Sequence, residues 1–131
     1  MKDYENSTDK FGRYSFNIIL KSEEIIDNDK LKVIIKEYLS NVGASCTLKE
    51  GTIIGHIKCY IKSKDDFLKA SLVSMKIGPD IVGDSLNLIK QVEFALACII
   101  FGLENEEIKK IIWDEFRIIQ KKYGLLYEPY V

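Results

Sequence analysis

ASCTLKEGTIIGHIKCYIK, residues Ala44 to Lys62, alternates apolar and polar side chains on both sides of Glu50-Gly51. Successive side chains of a strand point to opposite faces. The stretch therefore reads as a β-hairpin with Gly51 at positive φ in the turn. Leu48 then lies opposite Ile53 and Cys46 opposite Gly55. Ala44, Cys46 and Leu48 share an interior face with Ile53, Ile57, Cys59 and Ile61. A slip of one residue would bury Lys58 and Lys62, so the pattern chooses its own register.

Outward from the hairpin, the segment 63–66 reads as a second turn and Phe67 to Ile77 as a further strand. Setting Lys62 opposite Phe67 brings Ile61 to Leu68, Cys59 to Ala70 and Ile57 to Leu72, again on the interior face. A rival reading is a short helix opened by a Ser63/Asp66 capping box. Upstream, Tyr14, Phe16, Ile18 and Leu20 alternate with polar neighbours as a first strand. Ser22 to Asp27 reads as a connection. Asn28 is a good helix N-cap. Leu31, Ile34, Ile35, Tyr38, Leu39 and Val42 form one helical stripe, closed by Gly43.

Downstream, GPDIVGDS (78–85) reads as a loop from its Gly and Pro residues. Leu86 to about Phe101 reads as a helix, its second half VEFALACIIF apolar nearly all round and so buried on most sides. A last helix starts with Asn105 as its cap, carries the stripe Ile108, Ile111, Ile112, Phe116, Ile119 and Tyr123, and stops at Gly124. The tail LLYEPYV is apolar enough to dock. The expected order is β-α-β-β-β-α-α: an α+β domain with a four-stranded, mostly antiparallel sheet and helices on one face. Residues 1–12 are expected to form a flexible tail, with 13–131 as a single domain.

The totals bound the function. The 131 residues suffice for one domain with its own core. A net charge of -1 with 30% charged residues gives no bulk support for a nucleic-acid partner. The start lacks the apolar core of a signal peptide, and the apolar run 94–101 is too short for a membrane span. Three cysteines fit a reduced, cytoplasmic protein.

No catalytic constellation stands out. His56, the single histidine, has neither a carboxylate to orient it nor a nucleophile to serve. Cys46 and Cys59 point inward but lie about 13 Å apart along the hairpin, too far for a shared zinc or a disulfide. Cys98 lies on the apolar helix, so the three thiols are expected to be buried and inert. The loop 78–85 matches no phosphate-binding motif. Glu104, Glu106 and Glu107 read as a solvated first turn. No catalytic residue, metal ligand or cofactor is assigned.

The second face of the sheet is the informative feature. It is expected to carry Ile19, Ile54, His56, Tyr60, Phe67, Val73, Met75 and Ile77 among Lys58, Lys69 and Ser71, which is more apolar than a solvated face. Ile54, His56, Tyr60, Phe67, Val73 and Met75 are the candidate interface or ligand residues. The function expected is a non-catalytic protein-interaction or regulatory module, a homo-oligomer or bound to a protein partner through this face or the 94–101 helix. The alternative is a small-molecule binder or enzyme using the face around His56. A weaker alternative is RNA binding. The α-β-β-β-α order of residues 28–101 resembles that of double-stranded RNA-binding domains. The lysines such domains carry at the closing helix are replaced here by Ser85-Leu86-Asn87-Leu88 behind Asp84. DNA and membrane partners are not expected.

Overall fold

A computed structural model describes residues 10–130. The chain runs β1 (Phe11–Ile26), α1 (Asn28–Cys46), β2 (Ile53–Ser63), β3 (Asp66–Leu72), β4 (Asp80–Gly83), β5 (Ile89–Phe101), α2 (Asn105–Tyr123) and β6 (Leu125–Pro129). The six strands form one sheet in the order β4-β3-β2-β5-β1-β6, with every neighbouring pair antiparallel. Both helices lie on one face. The expected four-stranded sheet with three helices is overturned.

The largest correction is β5. The stretch read as a helix is the central strand, paired with β1 on one side and β2 on the other. Val92, Phe94, Leu96, Cys98 and Ile100 are buried, and the residues between them are more exposed. This is a period of two. Ala95, Ala97, Ile99 and Phe101 on the second face disguised it as an all-round apolar helix. The 94–101 helix is therefore not available as a subunit contact, and the resemblance in element order to double-stranded RNA-binding domains disappears with it.

The hairpin at Ala44 is the second correction. Helix α1 continues to Cys46 because Cys46 extends the stripe of Leu39 and Val42 at helical spacing, and all three are fully buried. Leu48, expected inside, is 85% exposed in the turn that follows. Gly43 is not the cap. It is buried within the helix, where a Cβ would meet Leu72 Cδ2 at 2.5 Å and Met75 Sδ at 2.6 Å. After the turn the pattern holds only from Ile57 on: Ile57, Cys59 and Ile61 are buried and Lys62 is exposed, whereas Ile53, expected inside, is 60% exposed. The β2–β3 register is the expected one, with Lys62 opposite Phe67, Ile61 opposite Leu68, Cys59 opposite Ala70 and Ile57 opposite Leu72.

Three loops have more structure than their composition suggested. The Ser22–Asp27 connection lies mostly in the long β1. The 78–85 loop contains β4, and the tail forms β6 on the outer edge of β1. Tyr127 of β6 packs against Trp113, tilted, and Phe116, edge to face, of α2, with ring centroids 5.4 Å apart in both pairs. The Trp113 indole donates to the Tyr14 hydroxyl at 2.8 Å. Both expected caps are displaced by one residue. Asp27 caps α1, accepting from the Lys30 amide at 2.8 Å, while Asn28 Oδ1 accepts from the Leu86 amide at 3.0 Å and ties down the approach to β5. Glu104 precedes α2, while Asn105 Oδ1 accepts from the Arg13 amide at 2.8 Å and fastens the start of β1. The tail expected at residues 1–12 lies mostly outside the described residues, and Phe11 and Gly12 already belong to β1.

Candidate functional site

Side-chain parity and the strand pairings together set out the face away from the helices. Ala95 and Ala97 of β5 occupy its middle. Asn17 and Ser15 of β1 lie across from them on one side, Tyr60 and Lys58 of β2 on the other. Small side chains on the central strand make a shallow trough. No helix or strand among the described residues covers it.

One end of the trough is apolar and histidine-bearing. Arg13, Ile99 and His56 form a row across β1, β5 and β2, with Phe11, Phe101 and Ile53 beyond it. The Phe11 and Phe101 rings lie 5.9 Å apart. Arg13, Ser15, His56, Ala97, Ile99 and Asn105 line a depression of about 430 Å³. Partial burial first, and the neighbouring Lys58 ammonium second, hold His56 below its ordinary value. An imidazole so placed is neutral at pH 7 and can accept or donate one hydrogen bond.

The other end is aromatic and basic. Tyr60 and Phe67 sit side by side on β2 and β3, ring centroids 5.9 Å apart and planes 35° apart. The Lys69 ammonium lies 6.0 Å from the centre of the Tyr60 ring. Lys58 and Lys62 flank Tyr60 along β2, two residues to either side. A second depression of about 260 Å³ lies here, lined by Asn17, Tyr60, Lys62, Phe67, Glu93, Ala95 and Tyr130 among others. The neighbouring Glu93 carboxylate holds the Tyr130 phenol above its ordinary value.

Of the six candidate residues, His56, Tyr60 and Phe67 stand on the open face. Ile54 does not. The β2–β5 register shifts between Ile54 and His56, so Ile54 faces Ile100 and packs against the core. Gly55 takes up the shift, a β-bulge that the alternation of the sequence does not announce. Val73 and Met75 also leave the set, because β3 ends at Leu72. Val73 is exposed beyond the strand, and the Met75 sulfur comes close to Gly43 on the helix side. Sequence reasoning missed Arg13, Lys62, Ala95, Ala97, Ile99 and Tyr130. The residues on β5 were hidden by its reading as a helix.

Two other clusters bear on function. A cavity of about 500 Å³ is lined by Ser22 to Asp27, Lys30, Lys122, Tyr123 and Gly124. Of its polar groups, Asp27 accepts from the Lys30 amide, and Lys122 and Tyr123 are turned to a carboxylate outside the lining. Beside it, Glu37 accepts from Lys122 Nζ at 2.8 Å and from the Tyr123 hydroxyl at 2.5 Å. Both oxygens of the carboxylate are thus engaged in tying α1 to α2. Cys46, Cys59 and Cys98 are free and buried. Cys46 of α1 and Cys98 of β5 are close enough to perturb each other's ionisation, Cys46 being held lower and Cys98 higher than an ordinary thiol. Burial pushes Cys59 far above the ordinary thiol range, and the neighbouring Cys46 together with burial does the same to Cys98. Among the described residues no group of three or more His, Cys, Asp or Glu converges as metal ligands, and no helix is long and apolar enough to cross a membrane.

Compared with known proteins, the chain matches no family model, no curated protein and no solved structure.

Proposed function

We propose that the protein is a non-catalytic interaction module and that the open sheet face is the surface it works through. The observation that carries this reading is the one-sided layering. Both helices serve one face of the sheet, and the other keeps Ile53, Tyr60, Phe67, Ile99 and Phe101 at least partly in contact with water. Six strands about 4.8 Å apart and about ten residues long give a face on the order of 800 Å². One partner contributes about 800 Å² to a standard-size protein interface. Packing against a second copy is disfavoured by charge, since Arg13, Lys58, Lys62 and Lys69 outnumber Glu93 in the middle of the open face.

The experiment is a stability comparison. Ile53→Thr, Tyr60→Thr and Phe67→Thr are combined in one chain, which keeps strand propensity while removing apolar area. Side chains reserved for a partner contribute little to the free chain, so the melting temperature stays within about 3 °C of the parent. A fall of more than about 10 °C would mean that the chain uses these groups to hold itself together, and the reading would fail.

The depression around His56 favours one second reading, a small-molecule binder. Its polar groups, Arg13, Ser15, His56 and Asn105, converge on a space of ligand size. A metabolite panel that raises the melting temperature of the parent but not of His56→Ala supports it. A panel without effect on the parent removes it.

A further inference from the structure

On the premise that the open face is the binding surface, we infer that its occupant is a single-stranded nucleic acid, with bases stacked on Tyr60 and Phe67 and phosphates met by Lys58, Lys62, Lys69 and Arg13.

Three observations point there together. The first is charge segregation. The whole chain carries -1, yet where β1, β5, β2 and β3 pair around the trough, the middle of the open face sets Arg13, Lys58, Lys62 and Lys69 against Glu93. Asp80 lies at the β4 edge, and Lys21 and Glu128 pair with each other at the β6 edge. None of the four cations forms an ion pair among the described residues; Lys30, Lys32, Lys36, Lys64, Lys76, Lys90, Lys109 and Lys121 are likewise unpaired, so what marks the four is that they share one face. A group of unpaired cations on one face is the electrostatic footprint of a polyanion partner. The chain-wide total concealed it.

The second is the arrangement of rings within that charge. Tyr60 and Phe67 are neighbours on adjacent strands, both partly exposed, with lysines before, after and across from Tyr60. Aromatic rings set in a basic surface offer stacking to bases and neutralisation to the phosphates between them. A carboxylate-bearing peptide would use the lysines and leave the rings idle.

The third is the shape. The surface is a sheet with a small-residue trough, and both helices are on the far side. No helix is placed to enter the groove of a duplex. A flat face with exposed rings reaches only bases that are already unstacked, which is the state of a single strand. Across the trough, the exposed Ser15 and Asn17 present a hydroxyl and an amide within reach of base edges.

The test is fluorescence anisotropy with labelled ten-nucleotide oligo(U) and oligo(dT), against a duplex of the same length and polyglutamate as competitors. The full chain is expected to bind the single strands with a dissociation constant of about 1–100 μM at moderate salt, with a log K against log salt slope of about -2 to -3 for three or four phosphate contacts. Tyr60→Ala and Phe67→Ala each weaken binding about ten-fold, from the loss of one stacked base. Combining Lys58→Gln, Lys62→Gln and Lys69→Gln flattens the slope by about 2. These lysines are on the surface, so the triple variant stays folded. Absence of single-strand binding, equal binding of the duplex or of polyglutamate, or full affinity in the Tyr60 and Phe67 variants would each overturn the proposal. The nucleic-acid inference can fail in these ways while the threonine variant keeps its melting temperature, and the face then remains a docking surface for something else. A collapse of that melting temperature removes the face reading itself.

Discussion

The hydroxyl of Tyr38 donates to the backbone carbonyl of Ile112 at 2.9 Å, inside the α1–α2 contact and across 74 residues of chain. The side chain is 2% exposed, and its ring packs against Phe94 and Phe116 with centroids 6.3 and 5.8 Å away. Burial raises this phenol well above its ordinary value, so it remains a donor throughout the physiological range. Tyr38→Phe keeps the ring and deletes the bond. We expect a loss of about 1 kcal/mol and a melting temperature about 4 °C lower, with an unchanged denaturant slope. A variant as stable as the parent would show that the helices need no polar pin.

The three thiols give a second expectation. Cys46, Cys59 and Cys98 are at most 1% exposed, so no reagent reaches them in the folded chain, and burial further disfavours the reactive thiolate of Cys59. A thiol reagent should label none of them in the native protein and all three once the chain is unfolded. The native labelling rate then follows the opening of the core, and it rises with denaturant. Rapid labelling of even one thiol without denaturant would place that cysteine outside the core.

How much of this was legible in the sequence depends on the strand. From Ile57 in β2 and as far as Leu72 in β3 the alternation is clean, and it set the β2–β3 register residue by residue; before Ile57 the bulge at Gly55 inverted it. For α1 and α2 one apolar stripe per helix was enough. β5 failed because its two faces are both apolar, one of them through Ala95 and Ala97, whose propensity favours helix. Periodicity cannot separate a buried strand from a buried helix when neither face is polar. β4 and β6 failed differently. Four and five residues respectively, they are strands only because a longer neighbour offers an unpaired edge. The same long-range cause hid the site. Arg13, Ala97 and Lys58 come together through β5, inserted between two strands that the sequence connects by way of α1.

Two glycines test steric against conformational need. A Cβ on Gly12 would meet the Leu103 carbonyl oxygen at 2.5 Å and the Glu104 carbonyl carbon at 2.7 Å, where β1 presses against the start of α2. Gly51 has open space around it but a φ of 86°. Gly12→Ala should cost about 1–3 kcal/mol by overpacking. Gly51→Ala should cost about 1–2 kcal/mol by strain alone. Asparagine separates the causes. It tolerates left-handed backbone, so Gly51→Asn should recover most of the loss, whereas Gly12→Asn should be worse than Gly12→Ala. Equal responses at the two sites in urea unfolding would contradict the assignment.

The Glu37 bridge between the helices sets a pH dependence with a definite sign. Its carboxylate is held below the ordinary range, first by the hydrogen bond from Lys122 and then by that from Tyr123. The same bridge holds Lys122 and Tyr123 above their ordinary values, Glu37 being the leading cause in each case. A carboxylate that is more acidic in the folded than in the unfolded chain stabilises the fold above its unfolded value, about 4.3. That contribution is lost as the pH falls through the lower folded value. The lysine works in the opposite sense: its contribution is present below its ordinary range and is lost when the pH climbs through the raised value. The bridge is thus intact across neutrality. Glu37→Gln keeps the shape and removes the charge. Its urea midpoint should lie below the parent's at pH 7, and the gap should narrow at an acid pH below the lowered folded value, where the parent's own carboxylate has taken up its proton. High salt should narrow it as well, because the groups are partly in water. A gap of the same size at both pH values would show that the shape of the side chain, and not its charge, joins α1 to α2.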